Sequence, residues 1–197
     1  MKTVTKFIVG AFVATTLGVI GGSQTVSADL DPNIPGSNVG NFFSNKVVRI
    51  ESGMDLGKAL DWDQANLDQV IMYNNNGLWN QKWNMFYDDI SDTYSFLTDP
   101  HQFNGFIKAA SLCVSERVFD GQGNPKIATT GLRANWKLYR VGDAVGAGVY
   151  VLKNVESGKV LDLPNGNPYD AQGLVAREGQ GTGTASQRFI IRVTGNL

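Results

Sequence analysis

The chain of 197 residues carries 17 basic against 18 acidic side chains, 42% apolar residues and 23 glycines. That balance suits one turn-rich β domain and excludes a disordered or collagen-like chain. No basic cluster offers itself to a phosphate backbone, so no nucleic-acid partner is expected. A single cysteine, Cys113, and a single histidine, His101, exclude an intramolecular disulfide and a multi-ligand Cys/His metal cluster; no metal and no cofactor are expected.

Residues 1–28 read as a signal peptide. Lys2 and Lys6 precede an apolar run from Phe7 to Ile20, and Val26-Ser27-Ala28 supplies small residues for cleavage near Ala28. The apolar run is shorter than the ~20 residues a membrane span needs, so secretion is expected and no membrane span. Without the leader the charge becomes 15 basic against 18 acidic, because it removes two lysines and no acids.

Residues 29–45 hold Pro32, Pro35, Gly36 and Gly40 and predict an extended arm or linker, with Phe42-Phe43 packing onto the domain that follows. From Lys46 onward, short alternating segments are bounded by Gly, Asn, Asp and Pro. Val47–Ile50, Val70–Tyr73 and Trp83–Tyr87 each predict a half-buried strand. No stretch shows three turns of helical periodicity with caps.

The slot Gln81-Lys82-Trp83 recurs as Ala134-Asn135-Trp136 and Gln187-Arg188-Phe189, with 53 residues from Trp83 to Trp136 and 53 from Trp136 to Phe189. Upstream, Gly57-Lys58-Ala59-Leu60-Asp61 recurs as Gly158-Lys159-Val160-Leu161-Asp162, while the middle unit carries Leu112-Cys113-Val114-Ser115. Units of about fifty residues are too short to close a core singly, so the period predicts three of them (approximately 46–90, 91–143 and 144–197) sharing one closed barrel.

These repeats resemble the ricin B-type (Gln-x-Trp) lectins over 46–197. The resemblance implies an all-β β-trefoil with pseudo-threefold symmetry. It implies shallow sugar sites in which an Asp from the front turn and an Asn before the Gln bind hydroxyls while an aromatic ring stacks on the pyranose. In the first unit Asp61, Tyr73 and Asn80 match those roles, with Gln81 as the motif residue. In the third, Asp162 and Gln187 match, but Arg177 stands at the aromatic place and Ser186 at the asparagine place, giving a candidate second site. In the middle unit Ser115 stands for the acid, Arg133 for the Asn and Ala134 for the Gln, and no site is expected. The interval from Asp61 to Tyr73 is three residues shorter than that from Asp162 to Arg177, a change able to displace the ring.

An ionised carboxylate can accept from two vicinal hydroxyls, an amide adds a donor and an acceptor, and a ring covers the apolar face of a sugar. The expected function is therefore a secreted lectin for galactose-type or related glycans on glycoproteins or glycolipids, with no enzymatic activity. The neighbouring acids Asp61-Asp63 and Asp88-Asp89 have the composition of a glycosidase pair, but such neighbours are common on surfaces and no catalysis is read from them; His101 is read as a loop residue and Cys113 as a small buried hydrophobe. The alternative is the receptor-binding or scaffold subunit of a secreted multi-subunit toxin, similar to haemagglutinin components or to the lectin-like subunits of cytolethal distending toxin. The oligomeric state is left open.

Overall fold

The computed structural model describes residues 39–197 apart from positions 64, 67, 68, 100, 104, 105, 132, 133, 180 and 181, and describes 101–108 by backbone only. The leader and most of the arm lie outside the described residues.

Strand β1 (Lys46–Ser52) leads into the hairpin β2 (Lys58–Trp62) and β3 (Val70–Asn74), and then β4 (Trp83–Asp88). The second unit runs β5 (Thr93–Thr98), a separate small hairpin β6 (His101–Phe103) and β7 (Phe106–Lys108), β8 (Ser111–Phe119), β9 (Pro125–Thr130) and β10 (Trp136–Ala144). The third runs β11 (Ala147–Asn154), β12 (Val160–Asp162), β13 (Gln172–Gly173), β14 (Val175–Arg177) and β15 (Phe189–Asn196). Among the described residues the only helical pieces are three single 3₁₀ turns, two of them at Trp79–Gln81 and Ala185–Gln187. His101 thus lies in a short strand and not in the loop its neighbour Pro100 suggests; Pro100 lies outside the described residues.

Six strands close a ring. β1 pairs β4 (Val48 opposite Trp83), β4 pairs β5 (Met85 opposite Phe96), and β5 pairs β10 (Tyr94 opposite Trp136). β10 pairs β11, β11 pairs β15 (Tyr150 opposite Phe189), and β15 returns to β1 (Ile50 opposite Ile191). Closure leaves these six strands without an open edge. The hairpins β2–β3, β8–β9 and β12–β14 cap one end, and their tips touch in cyclic order. Gln69 bridges Ala128, Lys126 pairs Val175, and Gln172 pairs Met72.

Large apolar side chains fill the interior because alternate strand positions turn inward. Trp83, Trp136, Phe189, Ile50, Met85, Phe96, Leu60 and Leu112 are all fully buried. Both indoles reach up into the cap: Trp83 Nε1 donates to the Leu60 carbonyl (3.3 Å) and Trp136 Nε1 to that of Leu112 (2.9 Å). At the same place Phe189 contributes only its ring. The inward face of β15 ends at Ile191, and Val193 emerges into solvent.

The arm's last residues belong to the core. Val39 and Phe43 are buried, and Phe43 sits edge-on to Tyr94 (6.3 Å) and Tyr150 (5.5 Å). The Tyr94 hydroxyl donates to the Gly40 carbonyl and accepts from Phe43 N–H (3.1 Å). Phe42, in contrast, is 53% exposed, so only one ring of the pair packs as expected.

Candidate functional site

In the first unit the chain turns sharply after β3. Gly77 takes a left-handed backbone (φ 70°), the Asn76 side chain accepts from Leu78 N–H (2.9 Å), and the 3₁₀ turn Trp79–Gln81 follows. This turn lays two amides against Asp61. Asn80 Nδ2 donates to Asp61 Oδ1 (2.6 Å), and Gln81 Nε2 donates to Asp61 Oδ2 (2.9 Å) and to the Asn74 carbonyl (2.8 Å). Gln81 Oε1 accepts from Asn76 and Gly77 N–H (3.0 and 3.1 Å). Four bonds on a fully buried side chain make Gln81 a brace that positions the acid, one step removed from any ligand.

Asp61 is 3% exposed, and burial pushes its carboxyl up to about 6 against the lowering pull of the Gln81 and Asn80 amides, with Asp63 adding to the rise. Each of its oxygens accepts from one amide, leaving a lone pair on each. The Asn80 carbonyl oxygen is buried without a partner, an acceptor beside the carboxylate.

Tyr73 is 39% exposed. Asp61 pairs with Ile71, and Tyr73 stands two residues further on the same face, diagonal to the acid. In the third unit Asp162 pairs with Val175, and Arg177 stands two residues on. The rungs are the same in both units, so the three missing residues fall in the connection between the strands and the ring keeps its place relative to the acid.

Arg177 covers Asp162. Its guanidinium lies 3.8 Å from Asp162 Oδ2, donates to Gln122 Oε1 (2.8 Å) and comes within 3.9 Å of Asp120 at the tip of the preceding hairpin. Gln187 repeats the brace, donating to Asp162 Oδ2 (3.2 Å) and the Glu178 carbonyl (3.1 Å). Ser186 turns instead to Thr184 (2.8 Å), and Asp162 Oδ1 is left buried and unpartnered. The structure therefore brings Asp162, Arg177 and Gln187 together, but with a cation where the first unit has a ring.

The middle unit requires a correction. Trp136 reaches Leu112 as Trp83 reaches Leu60, so the residue at the acid's place is Cys113, one after Leu112, and not Ser115. Cys113 is partly buried and free, its thiol pushed up to about 11 by burial. Thr130 holds the ring's place, two residues beyond Ala128, the partner of Cys113. Ala134 N–H donates to the Ser111 hydroxyl (3.2 Å) where the other units have a glutamine brace; Arg133 lies outside the described residues. Among those residues, no group of three or more His, Cys, Asp or Glu side chains gathers as metal ligands.

A second concavity lies at the barrel end opposite the hairpin cap. It is a cleft of about 750 Å³ between the arm and the β10–β11 and β15 ends, lined by Val39, Phe42, Tyr150 and Val193 and by Arg140 and Arg192. Nothing in the sequence pattern marks it, because its walls come from three segments far apart in the chain.

The family model for the ricin-type β-trefoil lectin domain-like proteins matches residues 133–197. Among solved structures, a mosquitocidal holotoxin is similar over 80% of this chain (TM-score 0.62, 21% identity), and the chain spans 17% of that protein's length. A ricin B-like lectin of Macrolepiota procera, solved with lactose, is similar over 76% of this chain and 96% of its own (TM-score 0.59, 13% identity). The designed threefold-symmetric protein ThreeFoil matches over 77% and 99% (TM-score 0.55, 23% identity). No curated protein sequence matches the chain at a significant level. By a family model over its C-terminal third and by fold over most of its length, the chain resembles the ricin B-type β-trefoil lectins.

Proposed function

We propose that this protein is a secreted lectin, exported after cleavage near Ala28, that binds galactose-type or related cell-surface glycans through one shallow site in the first of three pseudo-threefold repeats, without catalysis. One observation carries the reading: Asp61 is held by the Asn80 and Gln81 amides, each of its oxygens accepting only one of them, and Tyr73 stands diagonal to it on the same face. Sugar hydroxyls would donate to the carboxylate, and the pyranose C–H face would lie on the ring. A small wet site of this kind binds in the millimolar range, about −4 kcal/mol, so adhesion at a cell surface would draw on several copies.

The third-unit group of Asp162, Arg177 and Gln187 is a weaker second site, since its cation already engages the acid. A glycan array probed with the chain from residue 29 onward, beside Asp61→Ala, tests the reading. Signal on galactosides from the parent and none from the variant is expected. Silence from both, or equal signal, would refute it.

The second reading is a receptor-binding or scaffold subunit of a secreted toxin. The cleft with the half-exposed Phe42 ring, at the end away from the sugar site, supports it, as does the fold likeness to part of a mosquitocidal holotoxin. Recovery from culture fluid as a complex with a second polypeptide is its expected signature; elution as a lone monomer counts against it.

A further inference from the structure

The cyclic contact among hairpin tips makes each site a product of two units. At the third unit the tip of the second supplies Gln122, whose side chain touches Arg177 at 2.8 Å. Which residue plays that part at the first unit follows from the ladders. Lys126 pairs with Val175, and Val175 is the partner of the acid Asp162. Gly173 pairs with Ile71, and Ile71 is the partner of the acid Asp61. Lys126 and Gly173 therefore hold the same station, and four residues back from each stand Gln122 and Tyr169.

Three further observations bear on Tyr169. It is 56% exposed, although it is an aromatic residue on a chain pinned at both sides. Its N–H donates to Gln172 Oε1 (3.3 Å) and its carbonyl accepts from Gln172 N–H (3.2 Å), while next to it Asp170 pairs with Lys58 of the first hairpin (2.8 Å). Gly173, in line with Asp61 and Ile71 across three strands, has nothing within 4 Å of where a side chain would project, so the floor between the two tyrosines' strands stays open.

We infer that Tyr169, contributed by the third unit, extends the Asp61–Tyr73 site into a two-ring platform that takes a glycan of at least two pyranose units. The first sugar engages Asp61 and lies on Tyr73. The next lies with its C–H face on Tyr169. A monosaccharide reaches only the first. This inference rests on the proposed lectin function, and the experiment separates the two.

Galactose and lactose are titrated into the parent chain, Tyr169→Ala, Tyr169→Phe and Tyr73→Ala, with affinity read by line broadening of the sugar protons. In the parent, lactose is expected to bind about three- to tenfold more tightly than galactose, the scale of one added ring contact. Tyr169→Ala should abolish that ratio and leave galactose affinity as it was, Tyr169→Phe should keep the ratio, and Tyr73→Ala should weaken both sugars. An unchanged lactose-to-galactose ratio in Tyr169→Ala overturns the two-unit platform while leaving the lectin reading intact. Absence of binding of both sugars by the parent overturns the galactose reading and this inference with it.

Discussion

Asp61 is a buried acid that two amides stabilise and its surroundings oppose. Its carboxyl titrates at about 6 in the fold against 3.8 for the free side chain, so the native state holds the proton more tightly than the unfolded chain. The stabilising contribution is complete below about pH 4 and is lost as pH rises through about 6, by on the order of 3 kcal/mol. Asp88, Asp120 and Glu178 are shifted down by hydrogen bonds and act in the opposite sense. The difference between the parent and Asp61→Asn in urea melts therefore isolates the effect: it should fall steadily from pH 4 to pH 7, and a flat difference would contradict the shift. Sugar affinity should rise over the same window as the carboxylate forms. Gln81→Ala is expected to cost about 2–4 kcal/mol, since it leaves one oxygen of a buried carboxylate, a carbonyl and two N–H groups without the partner Gln81 supplies. Thermal melts would show that loss directly; Tyr73→Ala should leave the melt in place, because its half-exposed ring packs little.

At the level of elements, much was legible. The 53-residue period marks where Trp83, Trp136 and Phe189 must sit, because each is a large inward side chain at the start of a barrel strand, and burial of that size leaves few alternatives in sequence. Asp61 and Asp162 were found by their shared Gly-Lys-x-Leu-Asp frame. In the middle unit the acid's place falls two residues earlier than the sequence frame suggests, since what fixes its register is the carbonyl that receives the Trp136 indole, and a carbonyl leaves no trace in composition. The apparent three-residue loss before Tyr73 was visible, but its harmlessness was not, because strand pairing and not chain interval sets the distance between acid and ring. Cross-unit contacts such as Gln122 with Arg177 depend on tertiary closure and were invisible. The arm was half read: its Pro and Gly content hides the fact that Phe43 is wedged between Tyr94 and Tyr150. Phe43→Ala should destabilise by about 3–5 kcal/mol and release amide exchange in residues 39–45 while leaving sugar titrations unchanged; retained protection there would show that the Tyr94 hydroxyl bonds suffice.

At the scale of the molecule, the proposed sugar site and the cleft occupy opposite ends of one barrel, so a glycan and a protein would not compete for surface. The pairing of β1 with β15 has a mechanical side as well. Its seven rungs run from Lys46 opposite Asn196 to Ser52 opposite Phe189, and Leu197 N–H still bonds the Asn45 carbonyl (3.0 Å). The outer rungs of this ladder lie at the cleft pole, next to the Phe43 ring wedged between Tyr94 and Tyr150. Tension applied between the arm and Leu197 would have to draw Phe43 from between Tyr94 and Tyr150 before the ladder peels like a zipper, one rung at a time from the cleft end. Tension between that pole and a glycan at the proposed far site would instead load many strands in shear together, a stiffer geometry than peeling.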